Sequence, residues 1–168
     1  MSCVYFLSDL HLGHKSICKY RDEFNTVEEH DTFIKETILS TVNKRDKLWL
    51  LGDIAFTSEA GDWVVELSNK CNLSIILGNH CTREGKVNIA KYAQAGISLH
   101  SLVSYRNCWL THCPIHPDEI RSRDLVIHGH THGHNIDDTR YFNVSCENVG
   151  HKPIKFSEIK ERVDATRK

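Results

Sequence analysis

At 168 residues, with 40% hydrophobic and 26% charged residues, the chain has the make-up of one soluble globular domain. That composition excludes an intrinsically disordered chain, and no apolar run approaches the roughly 18 to 20 residues needed to cross a bilayer. A net charge of −1 gives no global sign of nucleic-acid binding, so any such surface must be local.

The first residues, MSCVYFLSDLH, carry no basic leader and no small-residue cleavage site, so no signal peptide is expected. Within them, residues 4–7 (VYFL) read as a short buried strand. Thr26 opens a helix through Val42, with Glu29 as its capping-box partner and Val27, Phe33, Ile34, Ile38 and Val42 at helical spacing. A turn over residues 43–46 leads into a second strand, 47–52 (KLWLLG). Ser58 caps a helix over roughly 59–70 with Trp63, Val64 and Leu67 inward, and 73–78 (LSIILG) is a third strand. Another helix covers roughly 84–95 and stops at Gly96. Beyond it come strands with shorter links: 97–103, 107–112, 125–128 and 141–145. Ser157 caps a short helix that frays into a basic tail ending at Lys168. Early β–α alternation and a β-rich second half predict a single α/β domain over 1–168. Its expected form is a sandwich of mixed sheets flanked by helices.

Seven Cys, an odd number without a CxxC pair, fit reduced thiols in a cytoplasm better than a disulfide framework. Twelve His stand out, half of them between His112 and His134. The residues that close each apolar run explain that abundance. VYFLS ends in Asp9 and His11, LWLL in Gly52 and Asp53, and SIIL in Gly78, Asn79 and His80. NCWLT ends in His112, and LVIHG in His130 and His132. Ligands of α/β proteins sit beyond the carboxyl ends of the strands, so these five ends should converge on one rim. Each supplies Asp, Asn or His, the donors that suit Mn, Fe, Zn or Ni rather than a thiolate-rich structural zinc. In an extended segment residues i and i+2 point the same way, roughly 6 to 7 Å apart. Asp9 with His11, and His130 with His132, would then reach two ions roughly 3.5 to 4 Å apart. Gly52, Gly78 and Gly129 remove a Cβ just before the donors.

The order DxH, GD, GNH, H, GHxH, running from Asp9 to His132, resembles the calcineurin-like metallophosphoesterase family, in its small, cap-less bacterial and phage form. The closing FNVSCENVGHKPIKFSEI resembles the C-terminal strand pair of those proteins. The resemblance implies a metallophosphoesterase-type α/β sandwich around two divalent ions, Mn²⁺ first, with Fe, Zn or Ni as alternatives. Asp9, His11, Asp53 and His132 would hold one ion, and Asp53, Asn79, His112 and His130 the other. Asp53 bridges, since a carboxylate has two oxygens. The implied reaction is hydrolysis of a phosphodiester or phosphomonoester by metal-activated hydroxide, with His80 protonating or steadying the leaving oxygen. One departure is Cys81, which stands where the family has an acid after GNH, so His80 is expected to be held by another group or to be less basic than usual.

Other residues take plainer roles. His128 reads as a packed imidazole, while His116 and His134 read as turn and loop residues. His14, three residues past His11, and Arg83, three past His80, are candidates to touch a substrate phosphate. Lys15, Lys19, Arg21, Lys86, Arg121 and Arg123 read as solvated. The expected partner is a phosphate ester, of nucleotide or nucleic-acid type, with no membrane. The chain would act as a monomer or small homo-oligomer in the cytoplasm, that of a host if phage-encoded. Two other classes remain: a nuclease-type processing enzyme, and a catalytically silent scaffold of the same fold.

Overall fold

Strands with apolar residues on both faces need covering on both faces, and two sheets with flanking helices supply it. The computed structural model describes residues 2–167. The first half alternates strands and helices: β1 (Val4–Leu7), α1 (Val27–Thr41), β2 (Lys47–Leu51), α2 (Ser58–Ser68), β3 (Asn72–Ile76), α3 (Lys86–Gln94) and β4 (Ser98–His100). The second half holds β5 (Leu102–Tyr105), β6 (Cys108–Thr111), β7 (Leu125–His128), β8 (Tyr141–Asn143), β9 (Ile154–Lys155) and α4 (Phe156–Thr166).

One sheet has the order β4-β3-β2-β1-β9 and the other β5-β6-β7-β8. The first is parallel except for β9, and the second is parallel except for β5. Alternation along each strand sends side chains to two cores. Tyr5, Leu7, Leu48, Leu50, Leu73 and Ile75 pack with Ile34 and Ile38 of α1 and Val64 and Leu67 of α2. Phe6, Trp49, Leu51 and Ile76 pack with Cys108, Leu110, Leu125 and Ile127 of the second sheet, and with Ile159 and Val163 of α4. A parallel bridge between Ser8 and Ser145 joins the sheets just past β1 and β8. The expected sandwich of mixed sheets flanked by helices is therefore the fold. Among the described residues no helix is long and apolar enough to cross a membrane.

Local expectations fared unevenly. Thr26 caps α1 by accepting from the Glu29 N–H at 3.1 Å, and of the apolar residues at helical spacing Ile34 and Ile38 are buried while Phe33 is 45% exposed. The α2 cap is Thr57, not Ser58, and accepts from the Ala60 N–H at 3.2 Å. Residues 97–103 are not one strand. Ile76 pairs with His100 in the first sheet and Leu102 with Thr111 in the second, so the chain changes sheets at the exposed Ser101. An alternating pattern fixes which faces are buried but not which sheet receives them. At the C-terminal end, β8 and β9 belong to different sheets, and α4 begins at Phe156 without a side-chain cap from Ser157. Lys168, the end of the expected basic tail, lies outside the described residues.

Candidate metal centre

The carboxyl ends of β1, β2, β3, β6 and β7 lead into Asp9 and His11, Asp53, Asn79 and His80, His112, and His130 and His132. The backbone there is not extended. Asp9 (φ 57°), His11 (53°), Asp53 (49°), His130 (70°) and His132 (49°) all occupy the left-handed region. Both i, i+2 pairs are carried on paired kinks, which corrects the expectation of extended alternation. A left-handed non-glycine residue costs about 1 kcal/mol or more, and persists only where its surroundings hold it. Here hydrogen bonds do so. The Asp9 N–H donates to Gly52 O (3.1 Å), the His11 N–H to Asp53 O (3.0 Å) and the Gly129 N–H to His112 O (3.0 Å). Asp9 Oδ2 accepts from the His130 N–H and from the Ser145 hydroxyl, each at 2.9 Å.

Gly52, Gly78 and Gly129 allow this crowding. A Cβ on Gly52, at φ 95°, would overlap the His112 ring, one on Gly78 would overlap Asp53 Oδ1, and one on Gly129 would overlap Ser8 Oγ and Asp9 Oδ2.

Asp9, His11 and His132 offer ligand atoms within 4.8 Å of one another, as do Asp9, Asp53 and His112, and His112, Cys113 and His130. In the first group Asp9 Oδ1 and both His11 ring nitrogens are buried with no hydrogen-bond partner among the described residues. The His11 Nε2–Asp9 Oδ1 separation of 3.8 Å is too long for a hydrogen bond. Burial pushes the Asp9 carboxyl up, but His11 and the charge of His112 outweigh it and hold the group well below the usual carboxylate range.

At the centre, His112 gives its Nδ1 proton to Leu51 O at 2.7 Å, which fixes the tautomer. Its Nε2 then faces Asp53 Oδ2 at 3.2 Å and Asn79 Oδ1 at 3.0 Å. With the Asn79 oxygen turned inward three acceptors meet there, which a second proton on Nε2, a cation or a turned Asn79 amide would satisfy. Burial lowers the His112 pKa, but the Asp53 contact outweighs it and raises it, as a second proton on Nε2 requires. A metal ion would displace that proton.

His80 sits at the rim. Its N–H donates to Asp53 Oδ1 at 2.9 Å, and its ring Nδ1 lies 2.7 Å from Glu84 Oε2. Glu84 thus occupies the role left vacant by Cys81, whose thiol is buried and pushed up by that burial. The spacing of four residues from His80 was the available signal. Phe56 packs its ring 5.0 Å from His11, 4.6 Å from His14 and 5.1 Å from His80, making one aromatic wall. His14 belongs to that wall, whereas Arg83 points outward with its side chain 70% exposed. His128 is fully buried and donates to Gly129 O at 2.8 Å, as a packed imidazole should. His116 and His134 are exposed.

Arg21 departs most from expectation. It is 1% exposed rather than solvated, and lies behind Asp9 with Glu147 as its carboxylate partner at 2.8 Å. Nothing local to either residue marks them, because 126 positions separate them in sequence. Burial pushes the Glu147 carboxyl up, but the His132 hydrogen bond and the Arg21 charge bring it down to about 2.

No protein-family model matches the chain. The gene 66 protein of Mycobacterium phage L5 is 29% identical over 171 residues, covering 79% of this chain and 78% of that protein. The uncharacterized protein MJ1445 of Methanocaldococcus jannaschii is 25% identical over 174 residues, covering 98% of this chain and 93% of that one. In fold, the chain is similar to the protein of unknown function AQ665 from Aquifex aeolicus, with a TM-score of 0.71 and 21% identity. That match covers 96% of this chain and 99% of the other.

Proposed function

We propose that this chain is a dinuclear metal-dependent phosphoesterase that favours phosphodiesters of nucleotide or nucleic-acid type. The observation that carries this reading is the meeting of Asp53 Oδ2 and Asn79 Oδ1 at His112 Nε2, with the buried Asp9 in the same group of ligand atoms as Asp53 and His112. The orphaned, buried Asp9 Oδ1 and His11 nitrogens beside it support a second cation position. Asp9, His11, Asp53 and His132 would hold one ion and Asp53, Asn79, His112 and His130 the other. Oxygen and nitrogen donors without an obligatory thiolate suit Mn²⁺. Such ions, when bound, supply an activated water and positive charge for the phosphoryl oxygens.

The chain's own groups supply the remainder. Asp53 would be the carboxylate shared by both positions, and its Oδ1 accepts from the His80 backbone N–H. His80, held at Nδ1 by Glu84, is left with Nε2 to give a proton to the leaving oxygen. Phe56 and His14 wall the site on one side, and Arg83 is free to reach a flanking phosphate. Exposure of Asn79 and His130 keeps the rim open, which suits a chain-like diester better than an enclosed small molecule. One chain carries every proposed ligand, so a monomer suffices.

The test compares hydrolysis of bis-p-nitrophenyl phosphate and p-nitrophenyl phosphate by Mn²⁺-loaded protein, with Asp53→Ala as control. Diester turnover lost in Asp53→Ala is the expected result. Monoester preference would redirect the substrate to nucleotide or protein phosphates. No turnover of either ester with Mn²⁺, Fe²⁺, Zn²⁺ or Ni²⁺ would sink the reading and favour a silent scaffold.

A further inference from the structure

A guanidinium taken fully out of water is costly unless its donors are satisfied, so the partners of Arg21 show what its burial secures. Nη2 donates to Asp9 O at 2.6 Å, and Nη1 to Leu10 O at 3.3 Å. Nε donates to Glu147 Oε1 at 2.9 Å. Nη1 also faces His30 Nε2 at 2.8 Å, so that nitrogen accepts and His30 Nδ1 donates to Asp31 Oδ1 at 2.8 Å. Asp31 Oδ2 in turn accepts from the Gly13 N–H at 2.8 Å. Glu147 Oε1 takes a further partner, His132 Nδ1, at 3.1 Å. That bond puts the His132 proton on Nδ1 and leaves Nε2 as the lone-pair nitrogen of a ring 5.1 Å from the His11 ring.

The whole network grips only one half of the site. It holds the carbonyls of the kinked 9–11 segment, the loop at Gly13 and the tautomer of His132. Neither Arg21 nor Glu147 hydrogen-bonds Asn79, His112 or His130, and the network reaches that side only through Asp9, whose Oδ2 accepts from the His130 N–H. We infer that Arg21 and Glu147 are positioning residues that set the affinity of the ion held by Asp9, His11 and His132, leaving the other ion's affinity unchanged. The inference rests on the dinuclear reading of the site. Removing such a supporting partner typically lowers metal affinity about 10- to 100-fold.

The experiment is a calorimetric titration of metal-free protein with Mn²⁺, for wild type, Glu147→Gln, Glu147→Ala and Arg21→Lys. Wild type should take two ions. Each variant should keep one at wild-type affinity and bind the other about 10- to 100-fold more weakly. In an Asn79→Ala background, which weakens the opposite position, Glu147→Gln should remove the remaining tight ion. Glu147→Gln preserves shape, so it still decides the matter if an Arg21 variant does not fold; thermal unfolding without metal gives the check. Two ions at unchanged affinity in Glu147→Ala would overturn the inference, as would equal weakening of both, which marks a general structural role. A wild-type chain that takes fewer than two ions fails differently, because it removes the dinuclear reading itself.

Discussion

Asp9 and His11 are buried, kinked and backed by a chain of hydrogen bonds that reaches α1, whereas Asn79 and His130 stand exposed on the opposite side of Asp53. On that side His112 is buried, and its ring is oriented from behind by the bond of Nδ1 to Leu51 O. Under the proposed function the two halves would divide the work of a catalytic metal centre. A preformed half can hold an ion tightly, while an open half leaves coordination positions for water and substrate. Substitutions in one half, in the other and at their boundary should therefore have separable consequences.

Asp53→Ala should have the largest effect, because it erases the boundary between the halves. It removes the shared carboxylate and leaves His112 Nε2 and the His80 N–H without their partner. Diester kcat/KM is expected to fall at least about a thousandfold, on the order of 4 kcal/mol of barrier. Metal content after dialysis should fall with it. A variant that keeps both ions and most of its turnover would show that the halves are independent sites.

Next comes the acid behaviour of the buried half. Glu147 has a folded pKa of about 2, depressed from its ordinary value of 4.5. Its contribution to stability is therefore present above about pH 4.5 and lost as pH falls through about 2. Without metal, Glu147→Gln should be less stable than wild type at pH 7 by about 3 kcal/mol. Urea unfolding should find that gap about halved at pH 3. A gap that does not change with pH would mean that the Arg21 and His132 contacts do not hold the carboxylate ionised.

The open half should yield more selectively. Asn79→Ala deletes one of the acceptors facing His112 Nε2 but touches none of the Arg21 network. One Mn²⁺ should weaken about 10- to 100-fold while the other keeps its affinity. Equal weakening of both would argue that the halves are coupled through Asp53 more strongly than their separate supports suggest.

Legibility in the sequence divides along the same boundary. Donors that close apolar runs, from Asp9 to His132, can be read directly, because a strand end is a local event with a local pattern. So can the capped α1 and the burial of His128. The supports cannot. Arg21 and Glu147 acquire meaning only when β1 and the segment after β8 meet at Ser8 and Ser145, a contact no periodicity announces. The left-handed kinks at Asp9, His11, His130 and His132 are likewise hidden, since Asp and His give no fixed backbone signal there. The break at Ser101 escapes because both halves of that segment alternate in the same way.

Glu84 is hidden for a smaller reason, and its removal should have the smallest effect. It is solvent-exposed, and its hydrogen bond to His80 draws its own pKa down. Being outside both metal positions, it should affect how His80 is aimed and little else. Glu84→Ala is expected to lower diester kcat about tenfold with KM unchanged, and Glu84→Gln, which keeps an acceptor, less. The deciding arm is the double variant. If Glu84 acts through His80, then Glu84→Ala should cost nothing further once His80→Ala is in place. A loss that persists in that background would assign Glu84 to substrate contact beside Arg83, and would move the open half's boundary outward to include the turn over residues 80–85.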